Sequence, residues 1–217
     1  ITGPVALGDE VLVNVQAVEL ALGSGGFDVL YANLTRGLGL DPEAGAHVMK
    51  LPYTPLQLAV RHAEEDGTSL ASLNGLPIVC CSLHSQVGPA AAGLGAGRRV
   101  AYVQVPGGAL PVSLSDTARA LRERGLVEAT VAVGACLEGD VACVSTAAAF
   151  AWAAQEEFDA VICSIGPGIV GTASPWGHGG LSVAEAVVTA RALGGRPVLA
   201  VRYSEGDPRE RHRGLSH

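Results

Sequence analysis

Residues 159–172 have the sequence Asp159-Ala-Val-Ile-Cys-Ser-Ile165 and then Gly166-Pro-Gly-Ile-Val-Gly-Thr172. An apolar run ends abruptly in a glycine- and proline-rich loop, which continues through Trp176 and His178 to Gly180. A short, continuous apolar run is typical of a strand buried on both faces, as in a parallel sheet. A strand that stops in such a loop presents backbone at its end, so this stretch predicts a buried strand followed by a site.

Four more runs of the same kind occur along the second half of the chain. They are Pro77–Leu83, Arg99–Val105, Ala129–Ala135 and Pro197–Tyr203. Three segments between the runs have helical spacing: Ser115–Gly125, Thr146–Phe158 and Leu181–Gly194. The last of these opens with Ser182 and Glu185 at capping-box spacing. Alternating strands and helices predict an α/β fold with a mainly parallel sheet flanked by helices.

The first 35 residues have a different pattern. Gly8-Asp9 and Gly23–Gly26 are turn sequences beside β-branched runs, which favours hairpins. We therefore expect a β-rich module over 1–35, as part of a larger N-terminal β domain, and an α/β domain with a polar C-terminal arm over 36–217. Leu56–Glu65 predicts a short helix. The segment begins in the middle of a pattern, as if earlier strands were missing.

Composition limits the function classes. Of the 217 residues 48% are apolar, and the formal charge is -7. The acidic balance argues against nucleic-acid binding, and no apolar run is long enough to span a membrane. The chain has five cysteines, which is an odd number, and its sequence contains no C-x-x-C motif. Buried thiols in a reducing cytoplasm explain this usage.

Ligands of open α/β sheets bind beyond the carboxyl ends of the strands. His84 follows the first run, Glu138 and Asp140 follow the third, and His178 lies in the glycine loop. If these side chains converge, the two histidines with Glu138 or Asp140 form a general acid–base set. Hydrogen-bonded structural histidines are the alternative. The histidines lack the H-x-H and H-x-x-x-H spacings, so we expect no metal site.

The glycine loop matches G-x-G-x-x-G at Gly166, Gly168 and Gly171. A dinucleotide site needs a helix that begins inside the motif, whereas here Pro175 and later glycines delay the helix to about Leu181. Two interpretations stay open: a backbone-amide cradle for a phosphate or carboxylate, and a tight turn that allows close strand–helix approach. The candidate ligand-binding residues are Gly107, Gly108, Gly166, Gly168, Gly171, Thr172, Trp176 and Lys50.

Three further features have two interpretations each. Cys136 near a strand end is either a nucleophile or a buried thiol. Lys50, the one lysine of the chain, either contacts an anion or is a solvated surface residue. The tail with Arg209, Arg211 and Arg213 either clamps an anion or a neighbouring subunit, or pairs with itself in solvent.

Six further groups of residues belong together: Leu12-Val-Asn14 with 23–26, His47-Val-Met-Lys50 with the residues to Gln57, Leu83-His-Ser85, Gly107–Pro111, Gly166–Thr172 with Trp176-Gly177, and Asp207–His217. Together they resemble a bacterial family of uncharacterised proteins, domain of unknown function family 3866. The resemblance covers nearly the whole chain. It implies that members carry further residues before Ile1 and after His217, and it implies no established activity.

We expect an enzyme of the cytoplasm that binds a small anionic metabolite at the carboxyl edge of the sheet, with no cofactor identified. The alternative is a non-catalytic binding or homo-oligomeric assembly module. In that alternative the glycine loops are turns and the arginine tail docks on a partner subunit.

Overall fold

A computed structural model describes residues 3–21, 28–39, 41–67, 72–172 and 174–216. The chain forms two compact units, Ile1–Arg61 (unit 1) and His62–His217 (unit 2). The domain boundary expected after residue 35 stays a prediction. Among the described parts of the chain, no helix is long and apolar enough to cross a membrane.

Unit 1 consists of short antiparallel pairs. Strand β1 pairs with β2, and β3 pairs with β4. The turn expected at Gly23–Gly26 lies outside the described residues. The helix expected over 56–65 is wrong, because a strand and a 3-10 turn (Ala63–Asp66) occupy this segment. The elements are β1 (Val11–Asn14), α1 (Gln16–Glu19), β2 (Val29–Asn33), β3 (Val48–Lys50) and β4 (Leu58–Val60).

Unit 2 contains a six-stranded sheet, and all its neighbouring strands are parallel. The strands are β5 (Pro77–Cys81), β6 (Val100–Val105), β7 (Ala129–Val133), β8 (Val141–Cys143), β9 (Ala160–Ile165) and β10 (Arg196–Ala200), in the spatial order β10-β5-β9-β6-β7-β8. The helices are α2 (Val87–Leu94), α3 (Asp116–Glu123), α4 (Thr146–Gln155) and α5 (Ser182–Ala192). The expected α/β fold with a parallel sheet is confirmed.

Two hydrophobic cores cover the two faces of this sheet. Helices α2 and α3 pack on the face that carries Tyr102 and Ile162. Helices α4 and α5 pack on the other face, where Phe150 of α4 is fully buried. The β5–β6 and β6–β7 crossovers use the first face, whereas the β8–β9 and β9–β10 crossovers run the opposite way and use the second. Right-handed crossovers that run in opposite directions along a parallel sheet must place their helices on opposite faces.

This topology places a switch point at β9. Strand β9 lies between β5 and β6 in the sheet. It is followed by α5 on one face, whereas β5 is followed by α2 and β6 by α3 on the other face. Connections that diverge from adjacent strands create a crevice at the carboxyl edge of the sheet. The fold therefore positions the loops after β5, β6 and β9 together.

The structure corrects three local expectations. The run at 197–203 is divided between β10 and a further strand, β11 (Arg202–Ser204). Strand β8 was missed, because it has three residues and follows β7 without an intervening helix. The capping box at Ser182 is wrong, since the Ser182 hydroxyl donates to the carbonyl oxygen of Pro106 at 2.8 Å.

The C-terminal tail hydrogen-bonds within its own chain. Strand β12 (Gly214–Ser216) pairs antiparallel with β11. The Asp207 carboxylate accepts hydrogen bonds from Arg202 at 2.8 Å and from Arg209 at 3.1 Å. Hydrogen bonds from Arg209 and then Arg202 hold the pKa of Asp207 below its ordinary value. These contacts match the self-paired interpretation of the tail.

Candidate functional site

The loops after β6 and β9 pack against each other at the carboxyl edge of the sheet. The amide of Ala109 donates to the Gly168 carbonyl at 2.8 Å, and the amide of Val170 donates to the Gly107 carbonyl at 3.0 Å. Gly108 and Ile169 thereby form an antiparallel bridge. Backbone pairing of the two loops closes the crevice between β6 and β9.

The rest of the glycine loop folds into a small hairpin. The amide of Gly179 donates to Val170 at 2.8 Å, and that of Thr172 donates to Gly177 at 2.7 Å. The Thr172 hydroxyl also donates to the Gly177 carbonyl at 3.3 Å. Trp176 is 82% exposed near the hairpin tip. The amides of Val170, Thr172 and Gly179 are thus used by protein carbonyls, not left open for an anion.

Glycines allow these loops to approach closely. A Cβ on Gly107 would lie 2.7 Å from the Gly179 carbonyl oxygen, and one on Gly166 would lie 2.9 Å from the Leu110 carbonyl oxygen. Real Cβ atoms do not come this close to backbone, so no larger residue fits without movement. This geometry corresponds to the close-approach interpretation of the glycine loop.

Behind the loops lies a chain of buried hydrogen bonds that begins at His84. The ring nitrogen Nε2 is 2.8 Å from the Ser115 hydroxyl, and Nδ1 is 3.1 Å from the Tyr102 hydroxyl. The Ser115 oxygen accepts from the Ala118 amide as the cap of α3, so its own proton is available to Nε2. A Ser115 hydroxyl that donates to Nε2 leaves Nδ1 as the N–H that donates to Tyr102, and the opposite tautomer reverses both roles. Both ring nitrogens are therefore engaged.

Gln104 continues the chain toward the loop after β6. Tyr102 donates to the Gln104 side-chain oxygen at 3.2 Å, and the Gln104 amide donates to the Leu110 carbonyl at 3.0 Å. Gln104 is 1% exposed, and both ends of its side chain are bonded. The neighbouring Ser164, paired with Gln104 in the sheet register, has a buried hydroxyl without a hydrogen-bond partner among the described residues.

The half-buried imidazole of His84 gives the fold a pH dependence. Burial lowers the pKa of His84 below its ordinary value, so the folded state favours the neutral ring. The stability from His84 is fully present above the ordinary pKa of about 6.5 and is lost as pH falls through the lowered folded value. We expect His84→Gln to have a lower free energy of unfolding in urea than the wild type. This difference should be largest at pH 7.5 and smaller at pH 5.5. A deficit that is the same at both pH values would contradict this.

The two acidic candidates have other partners than His84. Glu138 accepts a hydrogen bond from Ser113. Asp140 pairs with Arg122 and accepts from both the amide and the hydroxyl of Thr130 at 2.8 Å. Burial raises the pKa of Asp140, but hydrogen bonds from Arg122 and Thr130 outweigh it and the net pKa is lowered. Thr130 lies at the start of β7, so Asp140 is at the amino edge of the sheet, opposite the loops.

The remaining candidates lie in separate places. His178 is half-buried and pairs with Gly171 in an antiparallel bridge. Lys50 lies at the end of β3 in unit 1 and is 3% exposed, so its interpretation as a solvated surface lysine is wrong. Among the residues the structure describes, no group of three histidine, cysteine or acidic side chains is placed to hold a metal ion.

A cavity of about 150 Å³ opens at the carboxyl edge, between the loops after β6 and β7. Its floor is Gln104, and none of its lining residues is charged. The volume is below the roughly 300–1,000 Å³ of pockets for drug-sized ligands, so the cavity suits only a small metabolite. The lining residues are Gln104, Pro106, Gly107, Gly108, Ala109, Leu110, Pro111, Ala135, Cys136 and Leu137.

A second cavity of about 270 Å³ lies on the α4–α5 side of unit 2. Leu73, Ala148 and Leu193 contribute to a wall that is largely apolar, and Glu64 lies at its rim. This cavity is larger, but it is remote from the strand ends where ligands of parallel sheets bind. The smaller cavity, which has a polar floor and lies at the strand ends, is therefore the candidate site.

Cys136 differs from the other four cysteines because it is partly exposed and lines the candidate cavity. Cys80, Cys81 and Cys163 are buried free thiols. Burial raises the pKa of Cys80 to about 11 and that of Cys81 to about 12. The buried-hydrophobe interpretation thus suits these two thiols.

Sequence reasoning missed Tyr102, Gln104 and Ser115. The sequence does contain a pattern that indicates Tyr102 and Gln104. They are polar residues two positions apart in a continuous buried strand, so they share one face. Polar groups buried in this way need partners. Ser115 precedes a helix and is a recognisable cap, but its contact with His84 depends on the tertiary fold.

Comparison with known proteins leaves the activity open. Neither a curated protein nor a solved structure matches the chain. The family model described as "Protein of unknown function (DUF3866)" matches residues 1–217, and the chain therefore belongs to this family.

Proposed function

We propose that this protein binds a small polar metabolite in the cavity between the loops after β6 and β7. The observation that carries the proposal is the position of the cavity at the carboxyl edge of a parallel sheet, over the buried Gln104, which is hydrogen-bonded at both ends of its side chain. Parallel sheets place their ligands at this edge. Gln104 is held rigid by its two bonds, which gives the site a preorganised floor.

The chemistry of the walls favours an uncharged ligand. The loop backbone at Gly107 and Gly108 and the thiol of Cys136 line the cavity, and no cationic side chain does so. An anion in this cavity would lose its hydration without gaining a charged partner. The glycine loop led us to expect an anionic metabolite. The ligand panel therefore has to distinguish an anionic ligand from an uncharged ligand.

The proposal assigns binding and no reaction. An acid–base mechanism would need His84, Glu138 and Asp140 to act on one ligand, but they have three separate sets of partners. Both ring nitrogens of His84 are occupied. Proton transfer by these side chains is therefore the less favoured version of the proposal.

The test is a ligand panel measured by ligand-observed NMR on the whole chain. The panel contains small amides, carboxylates and phosphates, each of about five to eight non-hydrogen atoms to suit the volume. We expect amides to bind and Ala135→Phe, which fills the cavity, to abolish their binding. Ala92→Phe is the matched control, because Ala92 is an exposed residue of α2.

Two results would count against binding at this cavity. One is a panel without any binder, and the other is equal binding to the wild type and to Ala135→Phe. Carboxylates or phosphates that bind in place of amides, with the same loss in Ala135→Phe, would support the site and change the ligand class.

We also propose that the protein works in a reducing compartment such as the cytoplasm. Cys80 and Cys163 are free thiols, although they are neighbours across β5 and β9. Free thiols persist where the cell keeps them reduced. A disulfide in protein taken directly from cells would contradict this location.

A further inference from the structure

The outer edge of the unit 2 sheet and the β11–β12 pair that follows it carry exposed apolar side chains. Leu199 of β10 is 55% exposed, Val201 between β10 and β11 is 61% exposed, Tyr203 of β11 is 63% exposed and Leu215 of β12 is 71% exposed. Leu199, Val201 and Tyr203 are spaced two residues apart across the junction of β10 and β11. Leu215 is the cross-strand partner of Tyr203. These four residues form a surface that we name the apolar edge.

Strand β10 at this edge is less covered than the inner strands. All six residues of β6 and all six of β9 are buried. In β10, Val198 is 49% exposed and its neighbour Leu199 is 55% exposed. Adjacent residues point to opposite faces, so both faces of β10 are open here. Strands of parallel sheets are normally covered on both faces, which indicates that another surface covers this edge.

The paired charges beside the apolar edge favour a partner of the same kind over an oppositely charged one. Asp207 is bonded to Arg202 and to Arg209. The Tyr203 hydroxyl donates to Glu205 at 2.9 Å. Two arginines, Asp207 and Glu205 together carry no net charge, although the neutral Tyr203 hydroxyl does not cancel the charge of Glu205. A region without net charge does not repel a second copy of itself, which is compatible with a two-fold contact.

The area is sufficient for a dimer. From the exposed fractions, the four residues of the apolar edge present on the order of 450 Å² of surface. A stable interface buries about 800 Å² on each partner, of which roughly 60% is apolar. The two figures agree, so the apolar edge supplies the apolar part of one standard interface.

We propose that two copies of this chain associate about a two-fold axis through the apolar edge. The contact is made by side chains and does not extend the sheet. The Arg196 amide donates inward to Leu76 at 2.9 Å, so the alternation of β10 directs the nitrogen of Pro197 outward. Proline has no N–H, and its presence on an edge strand opposes strand-to-strand pairing. This proposal does not rest on ligand binding at the candidate cavity.

The test is sedimentation velocity on the whole chain and on Val201→Asp. We expect a dimer for the wild type at micromolar concentration and at least a hundredfold weaker association for the variant. Val188→Asp is the matched control, because Val188 is 67% exposed on α5 and outside the apolar edge, and it should remain a dimer. Circular dichroism checks that each variant is folded.

Two outcomes would overturn the proposal: a wild-type chain that stays monomeric at 100 µM concentration, and a dimer that Val201→Asp does not weaken. Weakening by Val188→Asp to the same extent would also overturn it, because the contact would then lie on α5.

Discussion

Gly108→Ala is expected to destabilise unit 2 by about 3 kcal/mol, because a Cβ at this position has no space. It would lie 2.5 Å from the carbonyl carbon of Gly166 and 2.7 Å from its Cα. Both are backbone atoms of the loop that is paired with the loop after β6, so no side-chain rotation relieves the clash. The free energy of unfolding from urea denaturation measures the effect.

Gly93→Ala is the control for this substitution. A Cβ at Gly93 in α2 meets no atom within 4 Å. Alanine is the better helix former, so Gly93→Ala should leave the stability unchanged or raise it by up to ~1 kcal/mol. Equal effects of the two substitutions would show that the loops are not packed backbone against backbone.

Gln104→Leu is expected to lower the free energy of unfolding by about 2–4 kcal/mol. Leucine nearly preserves the volume, so the loss comes from hydrogen bonds. The Leu110 carbonyl loses its donor at 3.0 Å, and the Tyr102 hydroxyl loses its acceptor at 3.2 Å and retains the longer contact with the Ile165 carbonyl at 3.4 Å. A buried polar group left without a partner costs more than a shared bond contributes.

Gln155→Leu is the matched control for Gln104→Leu. Gln155 is exposed at the end of α4, and the same change there should alter the stability by less than about 0.5 kcal/mol. A wild-type-like stability for Gln104→Leu would contradict the hydrogen-bonded chain from Ser115 to Leu110.

The sheet could be predicted because its inner strands are buried on both faces. Runs such as Val100–Val105 and Ala160–Ile165 are apolar throughout, and each is followed by a helical segment. Strand β8 could not be predicted in this way, because three residues carry too little pattern and the link from β7 contains no helix. The split after Ala200 depends on the pairing of β11 with β12, which is a tertiary contact.

The location of the candidate site was partly predictable. The rule for parallel sheets indicated the carboxyl edge, where His84 and the loops at Gly107 and Gly166 lie. The partners of these groups were not predictable, because they depend on strand register and loop packing. Asp140 shows the limit: it follows β7 in sequence, yet the loop returns to the amino edge and places it against Thr130.

The most direct test of the proposed site is chemical-shift mapping of backbone amides during titration with the tightest-binding compound of the panel. The account predicts that the largest shifts fall on Gly107, Gly108, Cys136 and Leu137, which line the cavity at the carboxyl edge. Shifts that cluster instead around Leu73 and Ala148, at the larger cavity beside α4, would contradict it.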